Sequence, residues 1–184
     1  MAQQDHRPLE GLRAAMPVGP LFEDVEATYP LHRLREAGAE VTIIGLKPGD
    51  KVKGKKGEEM EVELGASEAS AGDFDLLVLP GGYGPDKLRT DDGIKTLVRE
   101  MNEQGKPIAF ICHAGWIPVS AGILEGRRAT SYWSIVDDMR NAGAEWEDSE
   151  VVVDGNLVSS RYPNDLPAFM NALIEVAARS GVAA

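Results

Sequence analysis

Hydrophobic positions along the chain follow two alternating periods. Val41-Thr42-Ile43-Ile44, Leu76-Leu77-Val78-Leu79 and Ile108-Ala109-Phe110-Ile111 are short, nearly continuous apolar runs. Such runs predict strands buried on both faces. Between them the spacing is helical. Ile94, Leu97, Val98 and Met101 recur on one face, with Asp91-Asp92 as the N-cap and Gly105 just past the end. Leu166, Phe169, Met170, Leu173, Ile174 and Ala177 form the clearest amphipathic helix, opened by Asn164-Asp165 and Pro167. An earlier helix should end at Gly38 with Leu31 and Leu34 inward, and Pro30 should kink it or delay its start.

Strand alternating with helix predicts an α/β domain: a mostly parallel central sheet with helices on both faces. Two segments depart from the alternation. Lys51 to Leu64 reads as a small exposed hairpin, and Val151-Val152-Val153 with Leu157-Val158 as a second hairpin turning at Asp154-Gly155. Glu58 to Ser70 reads as surface loop. The 184 residues suit one domain, 1–184, with residues 1–10 as a loose extension.

Charge and cysteine content narrow the function. There are 19 Lys and Arg against 30 Asp and Glu, a formal net charge of −11. That balance argues against nucleic acid and anionic membrane as partners. Cys112 is the only cysteine, and His6, His32 and His113 are the only histidines. No intrachain disulfide can form, no metal site is expected, and no cofactor is implied. Met1 to Leu9 is polar, and no apolar run approaches the roughly 18 residues of a membrane helix. A lone thiol suits a reducing compartment, so the expected location is cytoplasmic.

Cys112 directly follows the strand Ile108–Ile111 and precedes Ala114-Gly115-Trp116. Two readings stand: a small buried hydrophobe, or a nucleophile on a strand-to-helix elbow. An elbow places the thiol at a helix N-terminus, where N–H groups favour a thiolate. The small residues after Cys112 and the adjacent His113 favour the second reading. His113 itself is read as facing the surface. Pro80-Gly81-Gly82 closes the preceding strand; paired glycines there suit either a tight turn or an oxyanion hole. The cluster Phe22-Glu23-Asp24-Val25-Glu26 reads alone as a helix start with acidic caps.

Taken together, these stretches resemble the PfpI family of the DJ-1/PfpI superfamily, within the class I glutamine amidotransferase-like folds. Further matching stretches are Tyr29-Pro30, Gly105-Lys106-Pro107, Ser120-Ala121-Gly122, Thr130-Ser131-Tyr132, Asp137-Asp138-Met139, Asn141-Ala142-Gly143, Val151 to Asn156 and Ser159-Ser160-Arg161, in order along most of the chain. The resemblance implies a flavodoxin-like three-layer sandwich. It implies Cys112 as nucleophile, Glu23 as the acidic partner of its sulfur, and the Gly82 and His113 N–H groups as oxyanion hole. It also implies a homodimer or larger homo-oligomer in which Asp86 of a neighbouring copy orients His113; the family usually carries Glu there.

Three departures stand out. Pro17 interrupts the first strand, Gly19-Pro20-Leu21 replaces a more polar approach to Phe22, and Pro118 lies within the helix after Cys112. Trp116 and Trp133 are expected near the pocket mouth. A protonated Glu23 would hold a thiolate that attacks carbonyl carbon. The expected activity is a stress-response, cysteine-dependent hydrolase or lyase on aldehyde adducts (deglycase or glyoxalase type) or peptides. The alternatives are a redox sensor through Cys112 oxidation and a holdase-type chaperone without turnover.

Overall fold

A computed structural model describes residues 7–182. The strands are β1 (Arg13–Pro17), β2 (Glu40–Gly45), β3 (Lys51–Lys53), β4 (Glu59–Glu61), β5 (Leu64–Gly65), β6 (Leu76–Leu79), β7 (Ile108–Ile111), β8 (Arg128–Ala129), β9 (Glu145–Trp146), β10 (Val152–Asp154) and β11 (Leu157–Ser160). The helices are α1 (Asp24–Glu36), α2 (Gly84–Leu88), α3 (Asp92–Glu103), α4 (Trp116–Ala121), α5 (Val136–Asn141) and α6 (Leu166–Val182). Seven strands form the central sheet in the order β10-β11-β7-β6-β1-β2-β5. All pairings in it are parallel except β10 with β11. This is the flavodoxin-like architecture expected. No helix among the described residues is long and apolar enough to cross a membrane.

Side chains alternate across the sheet with period two. Ala14, Met16, Leu76, Val78, Ala109 and Ile111 pack on the face carrying Leu34 of α1 and Phe169, Met170 and Leu173 of α6. Ala15, Leu77, Leu79, Ile108 and Phe110 pack on the opposite face with Ile94, Leu97, Val98 and Met101 of α3. Cys112 breaks the alternation. After Ile111 it should fall on the α3 side, yet it belongs to the α1 face. The cause is its left-handed backbone, φ 62°, rare for a residue with a Cβ. The elbow thus turns the thiol toward α1.

The capping expectations hold at α3, where the Asp91 carboxylate accepts from the Ile94 N–H at 3.0 Å. Three proline expectations are corrected. Pro17 is the last residue of β1, and the next N–H, that of Val18, resumes bonding to the Ile44 carbonyl. Pro118 is the third residue of α4, where an N–H has no partner within the helix. Helix α1 starts at Asp24 and runs through Pro30, so the proline does not delay its start. The Lys51 to Leu64 segment does contain a hairpin, β3 with β4. The surface loop expected over Glu58 to Ser70 instead contributes β4 and the sheet-edge strand β5. Residues 1–6 of the expected loose extension lie outside the described residues. Leu9 is fully buried and its N–H donates to the Ala37 carbonyl, so the part from Arg7 onward packs on the fold.

Candidate active site

The carboxyl ends of β6, β7 and β11 meet the start of α1, where ligands sit in open parallel sheets. They enclose a cleft of about 340 Å³ lined by Glu23, Glu26, Lys55, Gly82, Tyr83, Cys112, His113, Tyr132, Tyr162 and Pro163. Cys112 is nearly buried within it. The backbone N–H groups of Gly82 and His113 act on its sulfur in the direction that favours a thiolate. A developing oxyanion beside that sulfur would meet the same donors.

Both glycines before the cleft are sterically required. A Cβ on Gly81 would strike the Glu26 carboxyl and approach the Cys112 Cβ to 2.7 Å. Gly82 has φ 84°, and a Cβ there would run into the backbone of Leu21 to Glu23. That contact accompanies an antiparallel bridge between Phe22 and Gly82, which fastens the β6 loop to the start of α1.

The buried carboxyl beside Cys112 belongs to Glu26 rather than Glu23. Glu26 is fully buried on the inner face of α1, one turn before Pro30 and two before Leu34. Its Oε2 accepts from the Gly81 N–H at 2.9 Å. Its Oε1 is buried without a hydrogen-bond partner among the described residues, and both Glu26 and Cys112 line the cleft. Glu23 is the N-cap residue and turns outward to two lysines: its Oε2 lies 2.9 Å from Lys55 Nζ and its Oε1 3.7 Å from Lys56 Nζ. An ion-paired carboxylate one position outside the helix cannot serve as the buried acid.

Burial, and then the Glu23 charge, push the Glu26 carboxyl up to about 8, so it holds its proton at neutral pH. Burial, and then an ionised Glu26, push the Cys112 thiol up to about 12, the reverse of the depressed value expected at the elbow. The helix dipole offers little relief, because a short 3₁₀ turn, Cys112–Gly115, separates the thiol from the six-residue α4. The Glu26 repulsion exists only while that carboxyl is ionised. A neutral Glu26 instead offers its O–H to the sulfur. The two groups therefore titrate as one unit, and a thiolate is compatible only with a protonated Glu26.

His113 is also drawn into the site, contrary to its reading as a surface residue. Its Nδ1 lies 3.2 Å from Cys112 Sγ and its Nε2 3.1 Å from Ser134 Oγ. Its ring stacks on Tyr132 at 4.8 Å and meets the edge of Trp116 at 5.2 Å. Burial, and then the Lys55 charge, hold its pKa below the usual imidazole value. It is therefore neutral and able to accept a proton. Asp86 lies exposed on α2 and makes no hydrogen bond or ion pair with His113 of its own chain. Trp116 borders His113 as expected, whereas Trp133 lines a neighbouring recess.

Lys55, Tyr83, Tyr132, Tyr162 and Pro163 are lining residues to which sequence reasoning gave no role in the site. Lys55 comes from the tip of the β3–β4 hairpin. Asp24 holds that tip, its carboxylate accepting from the N–H groups of Lys56 at 2.9 Å and Glu58 at 2.8 Å. The Lys55 ammonium lies 5.3 Å from the centre of the Tyr83 ring. A lysine-rich hairpin far along the chain gave no signal that it would cover a cleft. Glu26 did leave one: it falls four residues before Pro30 and eight before Leu34, on the buried stripe.

Comparison with known proteins identifies the family and the fold. The model of the DJ-1/PfpI family matches residues 12–176. Deglycase PfpI of Pyrococcus furiosus is 50% identical over 155 residues, covering 84% of this chain and 93% of that protein. General stress protein 18 of Bacillus subtilis is 43% identical over 161 residues, covering 86% and 94% respectively. Among solved structures, a two-domain protein of Anabaena variabilis with DJ-1/ThiJ/PfpI-like and ferritin-like domains superposes with a TM-score of 0.88 at 38% identity. The match covers 92% of this chain and 48% of that one. The chain belongs to the DJ-1/PfpI family.

Proposed function

We propose that this protein is a cysteine-dependent hydrolase acting on adducts of small 2-oxoaldehydes with amines or thiols. The observation that carries the reading is the buried Glu26 carboxyl beside Cys112 across the Gly81 backbone, both lining one cleft. The naming of a 50% identical relative as a deglycase supports it.

In the first step Sγ bonds to C1, the adduct carbon that carries the modified nitrogen or sulfur. The S–C bond forms as that C–N or C–S bond breaks, Glu26 gives its proton to the departing amine or thiol, and the thiol proton of Cys112 passes to Nδ1 of His113. The Glu26 carboxylate then takes the C1 proton and returns it to C2, so that the hemithioacetal becomes a 2-hydroxyacyl thioester through an enediolate whose oxygen the N–H groups of Gly82 and His113 would hold. Water hydrolyses the thioester: its hydroxyl stays on the acyl carbon, one proton returns to Glu26, and His113 gives its proton back to Sγ. The net change is adduct plus water giving free amine or thiol plus the 2-hydroxy acid, with both side chains restored. Peptide hydrolysis fits less well, since a buried carboxylic acid beside the nucleophile suits proton movement within a small adduct.

The role is read as part of a stress response, in line with the name of the Bacillus relative. The active unit is read as at least a dimer, with Asp86 of a second copy reaching His113. Tyr83, which begins the turn into α2, already has its ring centre 6.4 Å from that of His113.

The test is a peptide whose lysine carries a methylglyoxal adduct, followed by NMR for free peptide and lactate. Wild type should release both and Cys112→Ala neither. Cleavage of the peptide backbone without release of lactate would overturn the reading.

A further inference from the structure

We propose that a second recess, beside the catalytic cleft, is a subsite for an aromatic side chain of the peptide that carries the adduct. The proposal rests on the aldehyde-adduct reading and deepens it. The recess encloses about 170 Å³ and is lined by Ser131, Trp133, Trp146, Asp148, Arg161 and Tyr162. Tyr162 lines the catalytic cleft as well, so the two spaces share a wall. The Tyr132 ring of the cleft and the Trp133 ring of the recess have their centres 5.6 Å apart. A chain held with its modified side chain at Cys112 therefore has a second pocket within one ring's width.

The walls are preset. Trp146 donates its indole N–H to Ser131 Oγ at 3.1 Å. Arg161 is fixed by Asp165 through bonds of 2.9 and 3.1 Å and by Asp148 at 2.7 Å, and its guanidinium lies 4.8 Å from the Tyr162 ring centre. Two carboxylates neutralise that guanidinium, so the recess is not an anion site. Its remaining surface is aromatic. Trp133 is 69% exposed, an indole that the core does not use and that borders the opening. A void of about 150 Å³ takes up benzene, so this volume suits a phenyl or phenol ring. Ring-on-ring contact then supplies preference.

The experiment compares two peptides bearing the same methylglyoxal-modified lysine, one with a neighbouring Phe and one with a neighbouring Ala, together with free methylglyoxal. Wild type should prefer the Phe peptide by about five- to tenfold in kcat/KM. Trp133→Ala should abolish that preference and Trp133→Phe should keep it. Turnover of free methylglyoxal should be equal in all three proteins. Equal rates on both peptides in wild type would overturn the subsite, as would a preference that survives in Trp133→Ala. A change in native mass on Trp133→Ala would also overturn it, assigning the indole to contact between copies. If no adduct is turned over, the functional reading fails separately. Binding of the unmodified peptides to Cys112→Ser, followed by tryptophan fluorescence, still reads the Phe-over-Ala preference.

Discussion

Glu26 and Cys112 face each other across the Gly81 backbone, so close that any side chain on Gly81 would strike the first and crowd the second. Burial restrains the ionisation of both, and an ionised Glu26 restrains that of the thiol further. The carboxyl is pushed up to about 8 and the thiol up to about 12, burial being the first cause for both. The site therefore works as a coupled acid and nucleophile.

That coupling sets a pH dependence. Turnover should decline as pH rises through about 8, where Glu26 loses its proton and repels a thiolate. Folding stability follows the same group. Its folded pKa lies above the ordinary 4.5, so its contribution is fully present below about pH 4.5 and is lost as pH rises through about 8. Glu26→Gln should remove this dependence. Above pH 8 the variant should be the more stable protein by on the order of a few kcal/mol, several degrees in Tm. Melting curves of both proteins from pH 5 to 9 check this; parallel curves would place the carboxylate in water.

Ser134 should set the tautomer of His113. Its hydroxyl sits 3.1 Å from Nε2 while Nδ1 faces the sulfur at 3.2 Å. Ser134→Ala should lower kcat about tenfold with little change in KM, and Ser134→Thr should restore much of it. Nitrogen NMR of the imidazole should show the tautomer mixture shifting in the alanine variant. An unchanged spectrum and kcat would remove Ser134 from the mechanism.

Much of this was written in the hydrophobic pattern. The apolar runs at residues 76–79 and 108–111 are β6 and β7 to the residue, because strands buried on both faces leave no polar position to blur their ends. The Cys112 elbow and the two glycines followed from those ends. The choice between Glu23 and Glu26 did not, because both lie at the start of α1. What decides it is helical phase: Asp24 begins the helix and Glu26 shares the face of Pro30 and Leu34. The inward turn of His113 depends on Tyr132, Trp116 and Ser134, which reach it from other segments. Lys55 arrives on a hairpin whose docking depends on Asp24. Such placements are set by loop packing, which leaves no period in a sequence.

Gly82→Ala should be among the most disruptive single-methyl changes. The new Cβ meets fixed backbone at Phe22 and Glu23, and the position has φ 84°. A loss of about 3 kcal/mol or more is expected, roughly 6–12 °C in Tm. A variant that melts with wild type would contradict the close approach of β6 to α1.

Subunit sharing has its own test. Cys112→Ser and Asp86→Ala should each be nearly inactive alone. Refolded together at random, dimers should recover about a quarter of the sites, because half are mixed and half of their sites are intact. Native mass spectrometry confirms the mixed species. Mixed dimers without activity would show that Asp86 acts within its own chain or not at all.

The central claim, that Glu26 and not Glu23 is the acid working with Cys112, is tested most directly by the turnover of methylglyoxal in Glu26→Gln beside Glu23→Gln. Glu26→Gln keeps the shape and loses the transferable proton, so kcat should fall by about a hundredfold or more. Glu23→Gln breaks the ion pairs with Lys55 and Lys56 and removes the smaller part of the push on the Glu26 carboxyl, burial remaining, and should stay within about tenfold of wild type. The reverse order, with Glu23→Gln dead and Glu26→Gln active, would contradict the account.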